Sequence, residues 1–223
     1  MADWTTISSL ATAGGTLILA IATFSSTRSA NRAARTAERA FAVGVRPVLF
    51  QSDLQDPIQK IRWGDGHWAR LGGGRAVVED VDGAIYLAMS LRNVGSGIAV
   101  LRAWTIATAP LLSSPTASAE EIQHGFELPR PDVESFRPQG RDLYVPAGGM
   151  SFWQAAIRRP DDPDRDGVLK TIGEGRPLAV ALLYGDQEGG QRTISLFMLT
   201  QWSENDWACN VARHWYLDRD DPR

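Results

Sequence analysis

Hydrophobic patterning divides the chain into three stretches. Residues 4–24, WTTISSLATAGGTLILAIATF, run 21 positions without a formal charge. As a helix this stretch would be about 31 Å long at ~1.5 Å per residue, close to the ~30 Å hydrocarbon thickness of a bilayer. Ile7, Leu10, Leu17, Ile21 and Phe24 recur at heptad-like spacing, and Gly14 completes the stripe. Trp4 stands where an interfacial aromatic belongs, and Ala11 with Gly15 forms a small-xxx-small pair that permits close helix approach. The pattern predicts a transmembrane helix over residues 1–24. Two rivals exist. A secretory signal needs a basic leading segment, and here Asp3 comes first. A buried or oligomerising helix would also suit a stretch in which seven residues are Ser or Thr.

Residues 25–46 keep a helical period with different chemistry. At 100° per residue, Arg28, Arg32, Arg35 and Arg39 fall within a sector of about 60°. Ala30, Ala33, Ala34, Ala37, Ala40 and Phe41 lie opposite. This is a basic amphipathic juxtamembrane helix. Its arginines are candidates for contact with anionic lipid headgroups or a partner, against the plainer reading of a solvated face. Gly44 suits a helix C-cap, and Pro47 prevents continuation.

From Pro47 the period becomes two. Ile85, Leu87, Met89 and Leu91 alternate with Tyr86, Ala88, Ser90 and Arg92; Leu178, Val180, Leu182 and Tyr184 alternate with small residues; 207–217 behaves alike. These are half-buried antiparallel strands. Further strands are expected near 47–51, 60–63, 67–71, 75–81, 98–107, 151–157 and 192–200. Asp65-Gly66 and Asp82-Gly83 are hairpin turns of type I′. Asp161-Asp162-Pro163 starts one inserted helix that Gly173 and Gly175 end. Residues 108–146 hold six prolines and read as a long loop with a helical turn near 118–124. The fold class is mainly β: an antiparallel Ig-like β-sandwich over 47–223, preceded by a long N-terminal helix.

Two motifs carry a resemblance. Leu91-Arg92-Asn93-Val94-Gly95-Ser96-Gly97-Ile98-Ala99 resembles the N-x-G-x-G-x-A turn of many bacterial Ig-like sandwiches, and Val145-Pro146-Ala147-Gly148-Gly149 resembles their step into a strand. With the anchor, the Ala/Arg helix and Arg46-Pro47, the layout is similar to membrane-anchored Ig-like β-sandwich proteins of actinobacteria. The stretch 184–192 and Arg213-His214-Trp215 fit that likeness. It implies a fold and an anchor, and no assigned activity or catalytic residue.

Charge refines the picture. The net charge of −3 splits into +3 over residues 1–46 and −6 over the remaining 177. An acidic body argues against nucleic-acid binding. One cysteine, Cys209, excludes a disulfide framework. The arginines all follow the apolar stretch, so the positive-inside rule expects a single-pass protein of the cytoplasmic membrane, with its N-terminus outside and its body in the cytoplasm.

Candidate chemistry is sparse. Asp162-Pro163-Asp164-Arg165-Asp166-Gly167 spells the first half of a calcium loop, but position twelve is Gly173 instead of Glu. Asp162, Asp164 and Asp166 are therefore a calcium candidate set against an acidic helix start. Trp63 and Trp68 flank Asp65-Gly66, and a two-residue loop would pair them across the hairpin, as a ligand platform or, in the plainer reading, as a pair that stabilises the hairpin or caps a core. Asp186 with Glu188 reads as a solvated turn; His214 lacks a nucleophile and an orienting carboxylate. No metalloprotease, Walker A or G-x-S-x-G motif occurs. The expected function is a membrane-anchored, non-enzymatic interaction module that docks partner proteins. Its expected partners are the bilayer, an unidentified protein and a second copy through the helix, with no cofactor. The alternatives are an extracytoplasmic sandwich binding carbohydrate or calcium, or an enzyme of unrecognised type.

Overall fold

The computed structural model describes residues 4–107, 129–203 and 206–220. It divides into two compact units, residues 1–44 and 45–223. The first is one continuous helix, α1 (Trp4–Gly44), of 41 residues. The expected span and juxtamembrane helix are thus a single element. Its threonine hydroxyls turn inward: those of Thr16, Thr23, Thr27 and Thr36 donate to the carbonyls of Thr12, Leu19, Thr23 and Arg32, four residues back.

The expected span is corrected here. Among the described residues no helix is long and apolar enough to cross a membrane. Of its stripe, Gly14, Leu17, Ile21 and Phe24 are described, while the side chains of Trp4, Ile7 and Leu10 lie outside the described residues, as does that of Arg39. The described apolar run, 17–24, holds eight residues where a span takes about 20. Thr12, Gly14, Gly15 and Thr16 precede it, and Arg28 follows.

The second unit is mainly β. Its strands are β1 (Leu49–Gln51), β2 (Gln59–Arg62), β3 (Trp68–Leu71), β4 (Arg75–Val81), β5 (Ala84–Asn93), β6 (Ala99–Ala107), β7 (Arg137–Val145), β8 (Met150–Ile157), β9 (Leu178–Gly185), β10 (Thr193–Ser203) and β11 (Asp206–Tyr216). A short helix, α2 (Arg165–Gly173), lies between β8 and β9. Nine strands form one antiparallel sheet in the order β1-β5-β4-β11-β10-β9-β6-β7, with β8 on the free edge of β5; β2 and β3 form a separate hairpin. Strand β4 meets β11 over only two residue pairs, Ala76 with Trp207 and Arg75 with Ala208. The sheet folds over at that corner. One core then gathers Leu87, Met89 and Trp153 from one half and Leu182, Tyr184 and Phe197 from the other.

The expected half-buried strands are more deeply covered than alternation suggests. All eight residues of β9 are buried. Leu178, Val180, Leu182 and Tyr184 enter the central core, while Ala179, Ala181 and Leu183 join Ile194, Leu196 and Trp215 in a cluster on the other face. The hairpin β2–β3 covers β5 in the same way, burying Tyr86 and Ala88 against Ile61, Trp63 and Leu71. Strand β7 falls inside the expected loop 108–146, where Pro138 and Gly140 disguise it. The expected turn at 118–124 lies outside the described residues. Helix α2 starts later than the sequence suggested, with Asp164 at the N-cap. It ends as expected: Gly175 takes φ +62°, and the N–H groups of Gly175 and Arg176 donate to Ile172 and Thr171 in a Schellman arrangement.

Both sequence motifs meet at Asn93. Its side-chain oxygen accepts from the N–H of Val48 (3.1 Å) and Gly95 (3.0 Å). Its amide nitrogen donates to the carbonyls of Gly97 (2.6 Å) and Val145 (3.0 Å). The backbone N–H of Asn93 reaches Gly149, and that of Val94 reaches Val48. A Cβ on Gly95 would collide with the backbone of Arg46 and Val48, and one on Gly97 with the Val45 carbonyl. The two glycines therefore leave a groove that only backbone fits, and the chain entering the body lies in it. Arg46 completes the clasp. Its buried guanidinium bonds Asp218 at 2.5 Å, donates to Gln191 and Thr193, and lies 4.4 Å over the Tyr216 ring.

Asn93→Ala would strand four polar partners, two of them N–H and two C=O. At about 1 kcal/mol or more for each group left without a partner, urea denaturation of the full chain should show a loss of about 3–5 kcal/mol. A loss under about 1 kcal/mol would show that water replaces the clasp.

Candidate functional site

A cleft of 1050 Å³ opens where the hairpin β2–β3, the end of β8 and the outer strand β7 converge. The hairpin brings Trp63 and Asp65 to it, and its register decides how. The N–H of Trp63 donates to the carbonyl of His67 at 2.9 Å, and Gly66 takes φ +95°. The loop is therefore three residues, a type I turn closed by a left-handed glycine, and not the expected type I′ pair. Trp68 sits opposite Arg62. A one-residue change of register sends neighbours to opposite faces. Trp63 is 3% exposed and Trp68 54% exposed, so the expected Trp63–Trp68 platform does not form. By contrast Asp82-Gly83 is the expected type I′ turn, with φ of +51° and +78°.

Buried Trp63 serves as a strut. Its indole N–H donates to the Ala155 carbonyl on β8 at 2.9 Å. Its ring meets Tyr86 edge-on at 5.2 Å, and Tyr86 stacks on His67 at 4.0 Å. The Tyr86 hydroxyl donates to Asp65 at 2.8 Å, and Arg158 Nε donates to the same carboxylate oxygen at 2.7 Å. Arg158, then Tyr86, hold the Asp65 carboxyl at about 2, well below its usual 3.8. His67 in turn pairs with Glu79 at 2.9 Å.

Strand β7 forms the opposite wall. It pairs with β6 at 143–145 and again at 137–138, with a register shift in between. Residues 139–142 therefore bulge out opposite Arg102. Side-chain amides, and no regular ladder, cross from β7 to β8 and on to the hairpin. Gln139 donates to the Gln154 carbonyl and Gln154 to the Arg62 carbonyl, each at 3.4 Å. Among the described residues the cations at the cleft are Arg62, Arg141 and Arg158, and the acid is Asp65. Arg62 and Arg141 have no ion pair among the described residues. Trp104 also lines the cleft, edge-on to Trp153 at 5.4 Å.

The structure separates the other sequence candidates. Asp162 and Asp164 do not form a calcium loop: Arg137 takes both, at 2.6 and 2.5 Å. That guanidinium lowers the Asp162 carboxyl below its usual range. Among the described residues no group of three or more His, Cys, Asp or Glu could hold a metal ion. Asp186 closes its own turn by accepting from the Gly190 N–H. His214 does gain a hydroxyl partner, Ser195 Oγ at 2.6 Å, and Ser195 in turn meets the Tyr184 hydroxyl at 2.9 Å. Ser195 and Tyr184 are wholly buried, so this relay offers no nucleophile to solvent; burial lowers the His214 pKa and pushes that of Tyr184 up to about 12. Cys209 is buried, which raises its thiol pKa.

Sequence reasoning missed Arg62, Trp104, Arg141 and Arg158. They come from separate elements and share no local pattern. Comparison with known proteins adds nothing to this geometry: no family model, curated protein or solved structure matches the chain.

The Asp65 pair has a measurable consequence. A carboxyl whose folded pKa is lowered stabilises the fold above its unfolded pKa, about 3.9, and that contribution is lost as pH falls toward about 2. Carbon-13 NMR should place the Asp65 titration near 2. Melting temperature should fall less steeply between about pH 4 and pH 2 in Asp65→Asn than in the parent chain. A midpoint near 4 would show that Arg158 does not engage it.

Proposed function

We propose that the chain is a non-enzymatic interaction module, tethered to a membrane surface by α1, whose β body docks a partner protein. The observation that carries this reading is the lining of the cleft. Among the described residues it offers guanidinium, indole and amide groups but no Ser, Thr, Cys, His, Lys or Tyr side chain. The carboxylate described there, Asp65, is held ionised by Arg158 and Tyr86, which both bond it. Such a lining suits binding: Asp65 is already engaged and does not exchange protons near neutral pH. The facing halves of the sheet, with the crossover pairings β1–β5 and β6–β9, support an Ig-like sandwich.

Helix α1 supports the tether. Leu17, Ile18, Leu19, Ile21 and Phe24 are each 60–69% exposed. An apolar run of this kind left in water costs about 25 cal/mol per Å². The hydroxyls of Thr16, Thr23 and Thr27 are satisfied within the helix, which suits contact with an apolar medium. Arg28, Arg32 and Arg35 flank one groove just beyond Phe24, at the depth where headgroup phosphates would lie. Attachment to the bilayer surface needs only this run and does not require crossing.

Co-flotation of the full chain with vesicles tests the tether. Binding should be stronger on vesicles containing phosphatidylglycerol than on phosphatidylcholine alone. At about 1 kcal/mol per arginine, replacing Arg28, Arg32 and Arg35 by Gln should weaken the anionic case roughly 100-fold and leave the neutral case nearly unchanged. Leu17→Asp with Ile21→Asp should abolish both. A chain that stays unbound but elutes as a dimer would reassign α1 to self-association.

A further inference from the structure

We propose that the cleft between the hairpin and β7 receives an acidic, extended peptide segment of the partner protein. The proposal deepens the docking reading above and rests on it. The first observation is charge. Three arginines meet one carboxylate in the cleft, and Arg158 already answers that carboxylate. Arg62 and Arg141 are left as two cations without a counter-ion among the described residues. This occurs within residues 47–223, whose overall charge is −6. Guanidinium groups bind carboxylates through paired N–H bonds, so two free arginines call for at least two carboxylates.

The second observation is backbone. Among the described residues strand β7 pairs only with β6, so along 139–141, where it lines the cleft, no strand covers its other edge. At Gly140 a Cβ would meet nothing within 4 Å, so the backbone there is open to close approach. An extended peptide laid along this edge gains main-chain hydrogen bonds, and alternate side chains face the same way about 7 Å apart. Strand β8 is not an equivalent edge. Gln59 and Trp63 already donate to its carbonyls at Ser151 and Ala155. The free arginines and the free edge thus lie on one cleft, and its 1050 Å³ exceeds what a single small anion fills. Trp104, which also lines the cleft, offers an apolar contact to a side chain between two acidic ones.

Fluorescence anisotropy tests this on the full chain, without vesicles. The probe is a fluorescein-labelled ten-residue peptide with Glu at alternate positions and Val or Thr between them. Its Gln counterpart and free glutamate serve as comparisons. The Glu peptide should bind, with affinity falling as salt rises, and the Gln peptide should bind at least tenfold more weakly. Arg62→Gln and Arg141→Gln should each cost about tenfold, since each removes a charge-assisted pair. Melting temperatures should not move, because neither arginine has an ion pair among the described residues. The triple Gln variant at Arg28, Arg32 and Arg35 should bind the peptide as the parent does. The proposal is overturned if the cleft variants bind like the parent chain, if the helix variant loses binding, or if free glutamate competes at equal concentration. A negative result here with intact vesicle flotation would remove the cleft assignment and leave the tether standing.

Discussion

The body depends on one buried side chain. Asn93 lies at the end of the longest run of core positions in β5, with no exposed surface of its own, and it holds four backbone groups from three other segments. Two belong to its own turn, one to the incoming chain at Val48 and one to the end of β7. A carboxylate would lack the donors for Gly97 and Val145, and a hydrophobe would strand all four groups. The glycines at 95 and 97 serve the same clasp from the other side by leaving the incoming backbone room. The entry of the chain, the end of β7 and the turn into β8 are thereby fixed relative to the core.

From that clasp the cleft follows. Strand β8 must leave Gly149 and run along β5, while β7 runs along β6 in the other half of the sheet. The two are consecutive in sequence yet belong to opposite halves. A seam between them results, and glutamine side chains cross it where a ladder would otherwise run. The hairpin β2–β3 covers one side of the seam through Gln59 and Trp63. The other side, along the β7 bulge, is left uncovered by the described residues, and it is there that we place the proposed binding surface.

Much of the fold was legible. The period of two located the strands outside 129–146, because side-chain alternation depends only on strand geometry and on which face is buried. Asp82-Gly83 was legible because its turn type rests on two residues that tolerate positive φ. The other Asp-Gly was misread: with Gly64 before it, the sequence allows either loop length, and the packing of Trp63 under β8 selects the longer one. The aspartates at 162–166 were misread for a related reason. Their spacing suits a cation, and the cation present is Arg137, some 25 residues earlier in the chain. Strand β7 was hidden because Pro138 and Gly140 are poor strand residues that an outer strand with a bulge accommodates.

The sequence by itself determined what depends on neighbours a few residues apart: a continuous N-terminal helix with a basic sector, the strand periodicity, the glycine turns, the Schellman end of α2, and the division of charge between the two units. Tertiary structure alone decided what depends on register and on partners far along the chain. It chose which tryptophan is a strut and which is exposed, which arginine answers which aspartate, and which arginines line the cleft without an ion pair among the described residues. The physical reason is that backbone conformation is selected locally, whereas contacts such as Gln154 with Arg62, 92 residues apart, exist only once the whole sheet has set its register.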